Sequence, residues 1–245
     1  MRRTFRLLTL LYLLGLATHA AWWVSQDHPR SWAQADWSSA GVLPDAARVS
    51  EPVVHVLAGR TGRWKGIFAH HTWIVIKARD ARTYTRFEVV GWGTPVRRNA
   101  YAADGRWYSD TPRVLLTLRR DAAERAIPRI LEAVAHYPHS ARGSYVIWPG
   151  PNSNTFVATI ARAVPGLSPA LLPTAIGKDF VHWPVYLGAT PSDTGLQLSV
   201  GGLLGVSVGL VEGLEINVLG LVLGLDVLRP ALKLPGWGRL GMAAA

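Results

Sequence analysis

The chain has 245 residues, 26 Lys and Arg against 16 Asp and Glu, and no Cys. That length suits one ordinary domain, with or without membrane segments, and the missing Cys excludes disulfides, zinc–thiolate sites and a thiol nucleophile. The formal charge of +10 is spread over single or paired basic residues, which speaks against a nucleic-acid partner and for anionic lipid or acidic wall polymers.

Arg2, Arg3 and Arg6 precede an apolar run over residues 7–24. That run is long enough to cross a bilayer as a helix. The basic flank keeps the N-terminus in the cytoplasm and sends the remainder across. Trp22 and Trp23 fall where an interfacial aromatic belt lies. Residues 18–20 also approximate a signal cleavage site, so residues 1–25 are an anchor or a signal peptide, with the anchor preferred. Residues 26–52, broken by Pro29, Gly41 and Pro44, read as a linker.

Strands are expected over 53–57, 67–77, 84–92 and 113–118, from their β-branched and aromatic content. Asp121 and Glu124 form a capping-box pattern at the head of a helix, which Pro128 should kink. A polar loop ending at Asn152-Ser153-Asn154-Thr155 opens a second helix with Phe156, Ile160 and Val164 on one face, and Pro165-Gly166 stops it. The main domain is thus 53–195. Residues 196–228 are apolar, with Gly201, Gly205, Gly209 and Gly213 every fourth residue. On a helix this spacing makes a small-residue ridge for packing in lipid. Glu212, Glu215, Asn217 and Asp226 interrupt the run, and a β-hairpin around Glu212-Gly213 is the preferred reading. Residues 229–245 read as a basic tail.

The chemistry concentrates in two places. His71 stands on a strand, and Ser153 stands at the start of a helix, where unpaired N–H groups and positive potential favour an anionic nucleophile or an oxyanion. A strand His can take the proton, and Glu88 on the return strand can orient it. The simpler alternatives are a Ser153 that caps the helix, a buried structural His and a solvent-facing Glu88. His136 and His139 match no standard metal spacing, and Gly177-Lys178 lacks the rest of a phosphate loop, so no metal and no cofactor are expected.

The order of a strand His before an Asn-Ser-x-x-Phe-Val helix start resembles the circularly permuted papain-like proteins, of the NlpC-like and lecithin retinol acyltransferase-like types. The resemblance covers residues 67–164 and implies Ser153 as nucleophile, in place of the usual Cys, and His71 as base. It also implies a cleft that includes Asn152, Asn154, Thr155 and Trp73, with backbone donors near Asn154. The words His71-Thr72-Trp73, the run 149–156, the run 174–179 and Gly213-Leu214-Glu215-Ile216-Asn217 resemble an uncharacterised bacterial family, domain of unknown function 3750. It carries no activity with it, and it implies that Ser is usual at this position.

The expectation is an α+β protein: a permuted papain-like domain with a small antiparallel sheet packed on two helices and an N-terminal transmembrane anchor. It would sit in a bacterial inner membrane, its main domain facing the periplasm or the outside, as a serine-dependent amide or ester hydrolase or acyltransferase. The alternative is a non-catalytic envelope protein whose cleft, lined by Trp73, Trp92 and Trp148, binds lipid or wall fragments. Membrane lipid and a cell-wall or lipid-linked substrate are the expected partners.

Overall fold

The computed structural model describes residues 2–243. It contains three α-helices and two antiparallel sheets, an α+β architecture. The first sheet has five strands: β1 Val53–Arg60, β2 His70–Lys77, β3 Thr85–Val89, β4 Val96–Arg98 and β5 Arg113–Arg119. They lie in the order β4-β3-β2-β1-β5. β1 and β2 occupy the centre and are buried along nearly their whole length. Their β-branched sequences suit strands covered on both faces.

Two layers provide that cover. On one face, Val54, Val56, Ile74, Ile76, Phe87 and Val89 pack against helices α2 (Arg120–Ala135) and α3 (Ser153–Ala163). On the other face Leu57, Trp73 and Val75 meet Leu43, Tyr84 and Ala103. Part of the linker therefore covers the second face, and Trp37 joins it there, packed against Trp107, Tyr101 and Tyr108.

Two local expectations change. No capping box forms at Asp121 and Glu124. β5 runs straight into α2 through Arg120, which takes a left-handed φ of 52°, and Glu124 instead pairs with Arg79 at 2.6 Å. Pro128 lies inside α2 without ending it.

The second sheet has seven strands in chain order: β6 Val185–Ala189, β7 Gly195–Val200, β8 Leu204–Gly209, β9 Gly213–Val218, β10 Leu221–Asp226, β11 Ala231–Leu234 and β12 Gly238–Gly241. Residues 196–228 are strands and turns, and β8 and β9 form a hairpin closed at Gly209 opposite Gly213. The period of two wins over the period of four because the polar residues of β7 to β9 all fall on the buried face. The glycines fit this too: a side chain at Gly205 would meet the Leu198 carbonyl at 2.5 Å. Residues 229–243 are not a tail. They add β11 and β12, because Lys233 turns inward and bonds the Glu212 carbonyl and Glu215. Ala244 and Ala245, the end of the expected tail, lie outside the described residues.

A buried ionic network ties the loop after α3 to the second sheet. Lys178 bonds Asp179 at 3.0 Å and Glu215 at 2.6 Å; Asp179 also accepts from Asn217 at 3.0 Å and from Gln197. Burial pushes the Glu215 carboxyl up, but Lys178 and Lys233 more than offset this and hold it below the usual range.

Helix α1 (Arg2–Val24) is one helix long and apolar enough to cross a membrane, by length and composition. It is also docked on the domain. The Tyr12 hydroxyl donates to the Val218 carbonyl at 2.8 Å, Trp23 Nε1 to the Arg63 carbonyl at 3.0 Å, and Trp237 Nε1 to the Thr18 hydroxyl at 3.0 Å.

Candidate functional site

Alternation along β2 puts His71, Trp73 and Val75 on one face, with Thr72, Ile74 and Ile76 on the other. Arg86 and Glu88, two apart on β3, share the His71 face. His71 Nε2 lies 2.8 Å from Glu88 Oε2, and Arg86 Nη2 donates to the same oxygen at 2.8 Å. All three side chains are buried. The His71 ring stacks flat on Trp107 at 3.6 Å, and the Arg86 guanidinium lies 4.1 Å from the centre of the Trp73 ring. These contacts fix the imidazole plane.

The electrostatics set its tautomer. Burial pushes the Glu88 carboxyl up, but the hydrogen bond from His71 and the Arg86 charge more than offset this, so Glu88 stays below the usual carboxylate range. An ionised Glu88 is acceptor only. Burial lowers the His71 pKa, with Glu88 opposing in part, so the ring is neutral near pH 7. The neutral ring therefore donates from Nε2 to Glu88 and carries its lone pair on Nδ1. That nitrogen makes no hydrogen bond among the described residues.

The N-terminus of α3 arrives beside His71 because Asn154 clasps β2. Its Nδ2 donates to the His70 carbonyl at 2.9 Å, and its Oδ1 accepts from the Thr72 hydroxyl at 2.9 Å. These bonds fall on the two residues flanking His71. The paired register of β2 and β3 ends at Ile74 opposite Phe87, so the strands part where the helix comes in. His71, Ser153, Asn152 and Asn154 all line one cavity of about 530 Å³, an ordinary volume for a small-molecule site. His70, Val90, Trp107, Tyr145 and Ile176 complete its wall, and Trp64, Trp92, Trp148 and Leu219 stand exposed around it.

The helix cap is Asn152, not Ser153. The Asn152 side chain accepts from the Asn154 and Thr155 N–H groups, and Thr155 returns the bond to close a capping box. The Ser153 hydroxyl and the Ser153 N–H make no hydrogen bond among the described residues. The Asn154 N–H, an expected oxyanion donor, is consumed by the cap at 2.9 Å. The free donor at this helix start is the Ser153 N–H.

The structure thus brings Ser153, His71, Asn152 and Asn154 to one cavity, with Glu88 directly behind His71. It separates two expected cleft residues from it. Thr155 is buried and donates to the Gly177 carbonyl at 2.8 Å. Trp73 is fully buried under Arg86 and bonds the Ala103 carbonyl at 2.9 Å, because the face it shares with His71 is covered by the 99–110 loop. Trp92 and Trp148 do line the cavity. Arg86, Trp107 and Tyr145 were missed. Arg86 had a signal, since its spacing of two from Glu88 places both on one strand face. Trp107 and Tyr145 had none, because their loops reach the cavity only through tertiary packing.

Fold and site together define an α+β protein with a membrane-helix candidate and a buried His–Glu–Arg cluster beside a helix N-terminus. Residues 51–180, just over half of the chain, match the family described as Protein of unknown function (DUF3750), and the chain belongs to that family. No curated protein and no solved structure matches it.

Proposed function

We propose that this protein is a serine-dependent hydrolase or acyltransferase of the bacterial inner membrane. It acts on an amide or ester, with a permuted papain-like domain held on the periplasmic or outer side by α1. The observation that carries the reading is the oriented, neutral His71, with Nε2 tied to buried Glu88 and Nδ1 unengaged, lining one cavity with an unengaged Ser153 at a helix N-terminus.

In the reaction, Ser153 Oγ attacks the carbonyl carbon as its proton passes to His71 Nδ1. Glu88 stabilises the imidazolium, and the Ser153 N–H and the α3 dipole stabilise the oxyanion. On collapse the leaving amine or alcohol takes the proton from His71. Water or an acceptor hydroxyl then displaces the acyl group by the same route in reverse. Arg86 works against full protonation of His71 and for an ionised Glu88. The roles fall on residues 71, 88 and 153, within the family-matched region.

The test is labelling by a fluorophosphonate. The full chain is expected to label, and Ser153→Ala and His71→Ala are expected to abolish the label while the unfolding temperature of Ser153→Ala stays near wild type. A folded wild-type protein that never labels would remove the catalytic reading. The exposed Trp64, Trp92 and Trp148 around the cavity favour a second reading, a non-catalytic site for lipid or wall fragments. Under that reading both variants would rescue a deletion phenotype in full.

A further inference from the structure

The seven-stranded sheet is built inside out. Along β7, Gln197 and Ser199 are buried while Leu196, Leu198 and Val200 are exposed. β8 buries Ser207 and exposes Leu204, Val206 and Val208; β9 buries Glu215 and Asn217 and exposes Leu214 and Val218. A sheet with one face in water shows the opposite alternation. Inward-facing Gln197, Glu215 and Asn217 are engaged by the Lys178–Asp179–Glu215–Lys233 network and by Arg162, so turning the sheet over would strand buried charges. The outward face is a contiguous apolar patch of the kind that marks an interaction surface.

Part of that same face borders α1. Leu8 and Leu11 of α1 line one small cavity with Leu214, Ile216, Leu223 and Leu225, and Tyr12 reaches the Val218 carbonyl. Contacts continue to Thr18 and Trp237. From residue 8 to residue 18 the helix follows the sheet for roughly 15 Å. Its opposite side presents Leu7, Leu10, Leu13 and Leu14, all exposed. A helix docked along such a length brings that face of the sheet to the membrane the helix enters.

We propose that the outward face of β6 to β9 is seated in the acyl region of the membrane that α1 enters, so that helix and sheet form one continuous lipid-facing surface. The open edges at β6 and β12 carry unpaired backbone groups, which hydrocarbon does not tolerate. The seating is therefore face-on and shallow, in one leaflet, with the edges at head-group level. The β9–β10 turn, where Leu219 lines the catalytic cavity, then stands at the membrane surface.

The chain has no native Cys, so single-Cys probes test this in the full-length protein. Bimane is attached at Leu198→Cys, Val206→Cys and, on the α2–α3 loop, Arg142→Cys. Each is reconstituted in phosphatidylcholine–phosphatidylglycerol vesicles carrying acyl-brominated lipid. The two sheet probes are expected to lose more than half of their emission to the brominated lipid and to resist aqueous iodide; the probe at position 142 is expected to show the reverse. Iodide quenching of the sheet probes would overturn the proposal by placing that face in water. Shielding from both quenchers, with label-to-label coupling when nitroxides replace bimane, would overturn it in favour of a second copy on the face. Neither outcome bears on Ser153 labelling, so the two proposals fail separately.

Discussion

Glu88 is fully buried, and its Oε2 holds two donors at once, the His71 ring and the Arg86 guanidinium. Removing the charge leaves Arg86 buried beside a neutral amide. Glu88→Gln is therefore expected to cost about 3–5 kcal/mol, the usual cost of stranding one partner of a buried pair, read as a lower denaturant midpoint with an unchanged slope. The histidines set the acid side of the stability profile. Burial lowers the pKa of His55 to about 4 from the ordinary 6.5, and lowers His70 and His71 as well. The unfolded chain takes up these protons near pH 6.5 and the folded chain does not. Stability is thus full above about pH 6.5 and is lost as pH falls from there toward about 4. Glu88 and Glu215, held below their ordinary value of 4.5, extend the loss further down. A flat unfolding midpoint between pH 7 and pH 4 would contradict this. In the sequence, element order and the papain-like resemblance pointed to His71 and Ser153, which the fold brings to one cavity. The exclusion of Trp73 from the cavity was not, since alternation tells which face a side chain takes and not what covers that face.

At the scale of elements, Asn152 ties down the start of the helix that Asn154 holds against β2. Asn152 accepts two N–H groups of the first turn and donates to the Ile147 and Ile176 carbonyls at 3.1 and 3.0 Å. It joins the helix start to two loops that wall the cavity. Asn152→Ala removes the cap and strands the Ile147 carbonyl, while Ile176 keeps its bond from Asn154 Nδ2; a loss of about 2 kcal/mol is expected, with faster hydrogen exchange over residues 153–157. The strands of the five-stranded sheet were readable because β1 and β2 are dense in β-branched residues. Residues 196–228 were not, for a physical reason. Glycines at intervals of four satisfy a helix ridge and a tight antiparallel meander alike, and apolar residues facing out defeat the usual inference from alternation to burial. The Asp121–Glu124 pattern misled because β5 leaves no residue free to act as a cap before α2 begins.

For the whole molecule, α1 is packed into the structure and not free of it. Tyr12, Thr18 and Trp23 each hold a hydrogen bond to the domain, and Gly15 lets Leu234 approach to where a Cβ would stand 3.2 Å away. Cleavage after Ala20 would remove the bonds of Tyr12 and Thr18 and the Gly15–Leu234 contact. The mature protein is accordingly expected to retain α1, and a mass spectrum showing a chain that starts near Ala21 would refute that. Composition and the basic N-terminal flank made this helix legible; its docking on the second sheet depended on contacts some two hundred residues distant in sequence. The family match ends at residue 180, while the network around Lys178 and Asp179 ties the matched region to Glu215 and Asn217 beyond it. The proposed chemistry rests on Ser153, His71 and Glu88. Its most direct test is to treat the full chain with a fluorophosphonate across pH and map the adduct. One phosphonyl group on Ser153 is expected, within the tryptic peptide from Gly143 to Arg162, at a rate that falls as His71 becomes protonated below the ordinary His range. No adduct on the folded protein, or an adduct on another residue that survives Ser153→Ala, would contradict the account.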